Sequence, residues 1–303
     1  MTIDAIEPPA GAATLPPVET IRSRWPMALG GLLTAAMVAG VAHELLKSGL
    51  AGLGRIVPAS PLFYLAFAVF YLLPPLCDYA IFRKIWKIPL NGLVALINKR
   101  IANDALFGYS GDAYFYAWAR QRTEMVSAPF GAVKDSAILS AVAGNGVTLA
   151  LTAIALPLGR HLLAPLQLHE LAWSSVVIVG ISLPWLIFSR RVFSLSRPTL
   201  WWVFAVHCLR LVAGSAALAV AWHFAMPAVA LGTWLLLAAG RLLVSRLPVV
   251  PNKDLLFANL AIALIGRGDA VSGLIAFTAA LTLLVHVVLL ALFGLQALVR
   301  RRA

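Results

Sequence analysis

Long apolar stretches, separated by short polar links, occupy most of the chain. Several of them run for about 20 residues, the length that an α-helix needs to cross the hydrocarbon core of a bilayer. A helix satisfies its own backbone hydrogen bonds at that depth, so the pattern predicts a series of transmembrane helices. The full-length candidates are residues 27–46, 60–82, 131–158, 171–189, 199–223, 227–247 and 269–299.

Two shorter apolar segments interrupt this series. Residues 90–107 contain charged and amide side chains, and residues 254–266 are too short to cross an untilted bilayer. Each follows a proline, Pro89 or Pro251, and each precedes a glycine-containing turn and a long helix. Short segments at matching positions of two halves often mark a transporter's binding site, but amphipathic helices at the membrane surface give the same pattern. For 90–107 both interpretations stay open.

The composition agrees with a membrane protein, since 61% of the 303 residues are hydrophobic and only 12% are charged. Residues 1–25 contain Pro, Ala and acids but no apolar run, which predicts a disordered cytoplasmic tail rather than a cleaved signal peptide. Residues 26–303 are expected to form a single membrane domain. The expected fold class is all-α: a polytopic transmembrane helical bundle of about eight spans, with two short or broken helices in repeated units.

The placement of the basic residues predicts the topology. They cluster at the ends of apolar stretches, so the net charge of +12 indicates orientation in a membrane rather than nucleic-acid binding. If 254–266 is an eighth crossing, most of the 24 basic residues lie on one side, and both termini are cytoplasmic in the cell membrane. A re-entrant 254–266 would place Arg300–Arg302 outside, against this rule. The basic residues left outside are Lys47, Arg55, Arg160 and Arg267.

Arg210 lies near the middle of the span 199–223, where insertion scales put the cost of a charge at roughly 2.5–3.5 kcal/mol. His207 lies one turn away on the same face. No acid occurs between Glu170 and Asp254, so we expect Arg210 to meet an anion such as a lipid phosphate. The alternative is pairing with a distant carboxylate, that of Asp78, Asp104 or Asp135.

Charged residues are most concentrated around the short segment 90–107 and in the turn that follows it. A solvated cytoplasmic face would explain them, but their crowding beside a broken membrane segment makes this the best site candidate in the chain. We expect a polar cavity there that opens to one leaflet. The predicted substrate-binding residues are Lys99, Arg100, Asp104, Gly111 and Asp112, of which Asp112 is expected in a loop, together with Arg210 and His207.

Four other polar residues have structural interpretations. Arg241 lies about two turns from the end of its span, so its side chain is expected to extend to the membrane surface. Asn145 lies between two glycines, which indicates close packing. His286 is expected to be a core histidine with satisfied hydrogen bonds. Asp135 begins a span and either marks the interface or faces inward.

The sequence contains no Walker A, HExxH or GxSxG motif and no metal-binding spacing of Cys and His. Cys77 and Cys208 lie in separate apolar segments, where they are expected to be small core residues. We therefore expect no catalytic residue, no metal and no cofactor.

Two runs of sequence resemble the lysylphosphatidylglycerol synthase transmembrane family. FGYSGDAYFYAWARQ, residues 107–121, resembles the family's Pro-Gly-x-x-Gly-Glu/Asp turn, with Phe107 in place of the usual proline. Residues 247–284 resemble its second unit of turn, short helix, glycine and long helix. That unit lacks the family's glycines and acid, with Ala258 or Asn259 near the expected glutamate, and the family's arginine in the last long helix is absent.

The resemblance covers most of residues 60–295, and Gly111 and Asp112 match the family's glycine and acid. It implies a lipid-handling membrane domain, which in multiple peptide resistance factors translocates an aminoacylated lipid. No synthase domain follows Ala303, so aminoacyl transfer is not expected. The leading hypothesis is a translocase of a lipid or lipid-linked headgroup, or its accessory subunit, that binds anionic or phosphate-bearing membrane lipids and no nucleic acid. The alternatives are a membrane-embedded transferase acting on a lipid carrier and a structural partner of a glycosyltransferase.

Overall fold

The computed structural model describes residues 57–105, 109–121, 129–159, 173, 193–247, 250–265 and 270–302. Within these residues the chain forms eight helices and no strand. The predicted tail 1–25 and the predicted spans 27–46 and 171–189 lie outside them. The helices are α1 (Pro61–Trp86), α2 (Asn91–Ala105), α3 (Ser110–Arg120), α4 (Pro129–Gly159), α5 (Arg197–Ala225), α6 (Leu231–Ser245), α7 (Lys253–Ile265) and α8 (Ala270–Arg302).

Four of these helices are long and apolar enough to cross a membrane: α1, α4, α5 and α8. They coincide with four of the predicted spans, so an all-α structure compatible with a membrane protein is confirmed for the described residues. The predicted span 227–247 contains a shorter apolar helix of 15 residues, α6. The number of crossings stays a prediction.

Proline residues determine where α1 begins and how it is interrupted. The helix begins at Pro61, whose fixed φ suits a first helical position. It ends before Lys87, which has a left-handed φ of 54° and donates its N–H to the Arg83 carbonyl at 2.8 Å. Pro74 and Pro75 lie inside the helix and have no N–H to donate to the carbonyls four residues earlier.

The segment predicted at 90–107 contains α2, and the next described helix along the chain is the short α3 rather than a long helix. Gly111 and Asp112 therefore lie in the first turn of α3, not in a loop as predicted. The Gly111 N–H donates to Asn103 Oδ1 at 2.7 Å, and a Cβ at Gly111 would collide with the Lys99 carbonyl. This close approach packs α3 against α2. The second unit has α7 directly before α8, so the two units differ and their repetition stays a prediction.

The apolar core consists of two clusters. One joins the first half of α1 to α6, α7, α8 and the second half of α5, and its centre includes Trp222, whose Nε1 donates to Thr278 Oγ1 at 3.0 Å. The other joins the end of α1 to α2, α3 and the first parts of α4 and α5, with the rings of Phe82 and Phe115 4.6 Å apart. On α1 and α5 the charged residues Asp78 and Arg210 lie between the two clusters.

Candidate functional site

A cavity of about 1210 Å³ lies among the helices, and all eight of them contribute residues to its wall. Seven basic and four acidic side chains line it. The acidic residues are Asp78, Asp104, Asp112 and Asp254, and the basic residues are Lys99, Arg100, Lys134, Arg210, Arg241, Arg246 and Lys253. A surplus of positive charge in a wall built on apolar helices favours an anionic occupant.

Asp78 is the centre of a chain of ion pairs. Its carboxylate is buried, with Oδ2 2.8 Å from Lys99 Nζ and Oδ1 3.1 Å from Arg210 Nη1. Lys99 Nζ also lies 3.1 Å from Asp112 Oδ1, and Arg210 Nη2 donates to Ser140 Oγ at 2.8 Å. Two cations and two anions thus neutralise one another at this wall of the cavity.

Arg210 pairs with Asp78, which is one of the distant carboxylates that the sequence left open as its partner. Asp78 is 132 positions away in the sequence, but α1 packs along α5 and brings the two side chains together. The sequence could name Asp78 only as one of three distant candidates, since the choice depends on which helices pack together. Arg210 still lines the cavity, so substrate binding by it stays a prediction.

His207 and Gly111 do not line the cavity, although they were predicted with the binding residues. His207 is buried, with Nε2 3.2 Å from the hydroxyl of Ser136, which does line it. Gly111 has a packing role, because only a glycine lets the chain pass so close to the Lys99 carbonyl. The structure therefore assigns these two residues to the support of the cavity wall.

The second group of charges links α2 to α8. Arg100 donates to the Tyr71 carbonyl, which Pro75 leaves without a helical partner, and its guanidinium lies 4.3 Å from the centre of the Tyr71 ring. Asp104 Oδ2 lies 3.5 Å from Arg100 Nε and 3.6 Å from His286 Nε2. His286 lines the cavity, and neither of its ring nitrogens makes a hydrogen bond within the described residues. The prediction that the hydrogen bonds of His286 are satisfied is therefore wrong.

Arg241 faces the cavity and not the membrane surface, which corrects its predicted orientation. Arg241 Nη2 lies 2.7 Å from Asp254 Oδ1, and the Arg241 guanidinium lies 4.7 Å from the centre of the Phe70 ring. The contact between α6 and α7 explains the pairing, because it brings the end of α6 next to the start of α7.

Arg246 and Lys253 lie at the two ends of the connection between α6 and α7, and sequence reasoning missed both because they resemble ordinary basic residues at span ends. Arg246 donates to Ser245 Oγ from Nε at 3.1 Å and from Nη2 at 2.9 Å. Lys253 Nζ donates to the Ser245 carbonyl at 2.7 Å. Both side chains line the cavity.

The pair of glycines around Asn145 on α4 has two different environments. A Cβ at Gly144 would collide with the Arg246 guanidinium, whereas a Cβ at Gly146 would meet nothing within 4 Å. Asn145 itself lines the cavity. Close packing occurs here as predicted, but at Gly144 and against a side chain rather than at Asn145.

Asp135 faces inward and has a structural role. Its carboxylate is fully buried, and Oδ2 accepts the N–H groups of Ser194 at 2.6 Å and Leu195 at 2.8 Å, just before α5 begins. Cys77 is buried and Cys208 partly buried, and both are free thiols. In the part of the chain that the structure describes, no group of three or more His, Cys, Asp or Glu residues could hold a metal.

Comparison with known proteins gives no further assignment. No protein-family model matches the chain, and neither a curated protein nor a solved structure matches it.

Proposed function

We propose that this protein binds the anionic or phosphate-bearing headgroup of a membrane lipid in the cavity and moves it across the bilayer, as a flippase-like translocase or the lipid-binding subunit of one. The observation that carries the proposal is a large cavity with a net basic lining among helices apolar enough to span a membrane. Its volume of about 1210 Å³ exceeds the usual range for small-molecule pockets, roughly 300–1,000 Å³. A headgroup fits this space while the acyl chains stay in the bilayer.

The two short helices support the same function. α2 supplies Lys99, Arg100 and Asp104 to the cavity wall, and α7 supplies Lys253 and Asp254. Transporters often place their substrate between short or interrupted helices from two halves of the chain. The resemblance of both segments to a lipid-handling membrane family favours a lipid as that substrate.

Reconstitution of the full chain into liposomes tests the proposal. Fluorescent phosphatidylglycerol and fluorescent phosphatidylcholine are placed in both leaflets, and a membrane-impermeant quencher reports how fast each inner pool reaches the outside. We expect faster movement of the anionic lipid than in protein-free liposomes, and a smaller effect on the zwitterionic one. Anionic lipid that moves no faster with folded protein present would overturn the proposal. A covalently altered lipid found by mass spectrometry would favour the transferase alternative.

A further inference from the structure

Two of the seven basic residues around the cavity have no acidic partner in the described parts of the chain. The other five each lie within 4.0 Å of a carboxylate oxygen: Lys99, Arg100, Lys134, Arg210 and Arg241. Arg246 and Lys253 have no described carboxylate within that distance and rely on Ser245. A cation away from bulk water is costly unless an anion or several acceptors compensate it. An incoming anion would therefore gain the most binding free energy from these two side chains.

The guanidinium of Arg246 is held in place from two sides. Its Nε and Nη2 donate to Ser245 Oγ, and its Nη1 lies against α4 at Gly144, where a Cβ would collide with it. Its hydrogen bonds within the described residues use Nε and Nη2, so the Nη1 donors remain for a ligand. An arginine fixed in this way needs little reordering when it binds an oxyanion.

We propose that Arg246 and Lys253 form the phosphate-binding subsite of the cavity, and that Gly144 acts as a positioning residue by leaving room for the Arg246 guanidinium. The subsite rests on the proposed function, of which it names the recognised chemical group. A phosphate monoester or diester accepts charge-assisted hydrogen bonds from a guanidinium and an ammonium together. The same group occurs in a lipid headgroup and in free inorganic phosphate, and separate titrations with the two distinguish these sources.

The neighbouring glycines give a matched pair of variants. Gly144→Ala would place a methyl group where the guanidinium lies, and Gly146→Ala would place one in open space. The added methyl group would force the guanidinium out of its position, and because the guanidinium is the end of a long side chain, α4 can keep its shape. Alanine favours a helix interior over glycine by roughly 1 kcal/mol, so neither variant is expected to unfold the protein.

Binding is measured on the full chain in a neutral detergent, by titration with dihexanoyl phosphatidic acid and, separately, with inorganic phosphate. We expect Gly144→Ala, Arg246→Gln and Lys253→Gln each to weaken phosphatidic acid binding roughly tenfold or more, and Gly146→Ala to leave it unchanged. Circular dichroism and the unfolding midpoint without ligand check that every variant is folded. Tighter binding of phosphatidic acid than of phosphate identifies a lipid headgroup, and equal binding identifies free phosphate.

Equal affinity of wild type, Gly144→Ala and Arg246→Gln would overturn the subsite. The liposome assay keeps this result separate from the proposed function. If the wild type translocates lipid but its Arg246→Gln variant binds phosphatidic acid normally, the proposed function holds and the subsite is wrong. If the wild type binds phosphatidic acid more tightly than the variants do but translocates no lipid, the subsite holds and the proposed function is wrong.

Discussion

Buried carboxylates in this protein are compensated in two chemically different ways. Asp78 interacts with the cations Lys99 and Arg210, whereas Asp135 Oδ2 accepts two backbone N–H groups and Oδ1 lies 3.6 Å from Lys134 Nζ. Backbone donors cannot move far or change charge, so Asp135 fixes the connection to α5. The cations around Asp78 are the ends of flexible side chains that also line the cavity, so this group of charges can rearrange when a ligand enters.

Removal of the Arg210 charge tests the Asp78 pairing. We expect Arg210→Met to lower the free energy of unfolding by about 3 kcal/mol, because it deprives a buried carboxylate of one of its two cations. Arg210→Lys keeps the charge and should lose less. The measurement is reversible unfolding in mixed micelles with increasing sodium dodecyl sulfate.

The double variant Asp78→Asn with Arg210→Met provides the control. Its loss should be clearly smaller than the sum of the two single losses, since the partners of one interaction are removed together. Additive losses would contradict the ion pair. Full stability with lost lipid translocation in Arg210→Met would instead favour the binding role predicted for Arg210 from the sequence.

At the scale of helices, the sequence was informative where a long apolar run decides the structure. α1, α4, α5 and α8 lie where their apolar stretches predicted them. α3 was not predicted, because an 11-residue helix with aromatic and charged residues has no long apolar run. The partners of Arg210 and Arg241 depend on which helices become neighbours, and no single segment contains that information. The residues around the short segment could be predicted, but their pairing could not.

The interruption of α1 by two prolines leads to a prediction about Arg100. Pro75 cannot donate to the Tyr71 carbonyl, and Arg100 donates to it instead. In Pro75→Ala the new N–H takes over part of this role, so Arg100→Leu should cost about 1 kcal/mol less in that background than in wild type. Mixed-micelle unfolding of the four proteins gives this coupling energy.

Pro74→Ala is the matched control for this coupling. Its new N–H faces the carbonyl of Phe70, which Arg100 does not use, so the cost of Arg100→Leu should stay the same in that background. An equal coupling to both prolines would show that helix straightening, rather than the Tyr71 carbonyl, connects α1 to Arg100.

At the scale of the whole molecule, the cavity depends on every described helix. Charged residues on α1, α2, α3 and α5 neutralise one another in one series of ion pairs, and Arg241 on α6 does so with Asp254 on α7. The surplus charge is then confined to the connection between α6 and α7. An anion that binds there would meet short helices on one side and, on the other, α4, which is long and apolar enough to span a membrane. This arrangement is the one expected at a transport site.

The orientation of the molecule in the membrane is the last prediction. The apolar stretch of α8 runs to Val299, and Arg300–Arg302 follow it at the end of the helix. Clusters of basic residues next to spans stay on the cytoplasmic side, and the same rule applies to the N-terminal tail. We therefore expect both termini in the cytoplasm, which requires an even number of crossings and makes α7 one of them.

Cysteine labelling measures this orientation directly in cells. In a Cys77→Ala, Cys208→Ala background, Thr2→Cys and Ala303→Cys should react with a membrane-impermeant maleimide only after permeabilisation. Gly54→Cys, in a connection predicted to be external, should react in intact cells and controls for access of the reagent. If Ala303→Cys reacts in intact cells while Thr2→Cys does not, the number of crossings is odd. The segment containing α7 would then enter and leave the membrane on the cytoplasmic side, and Arg246 and Lys253 would stay at the inner leaflet while the end of the chain lies outside.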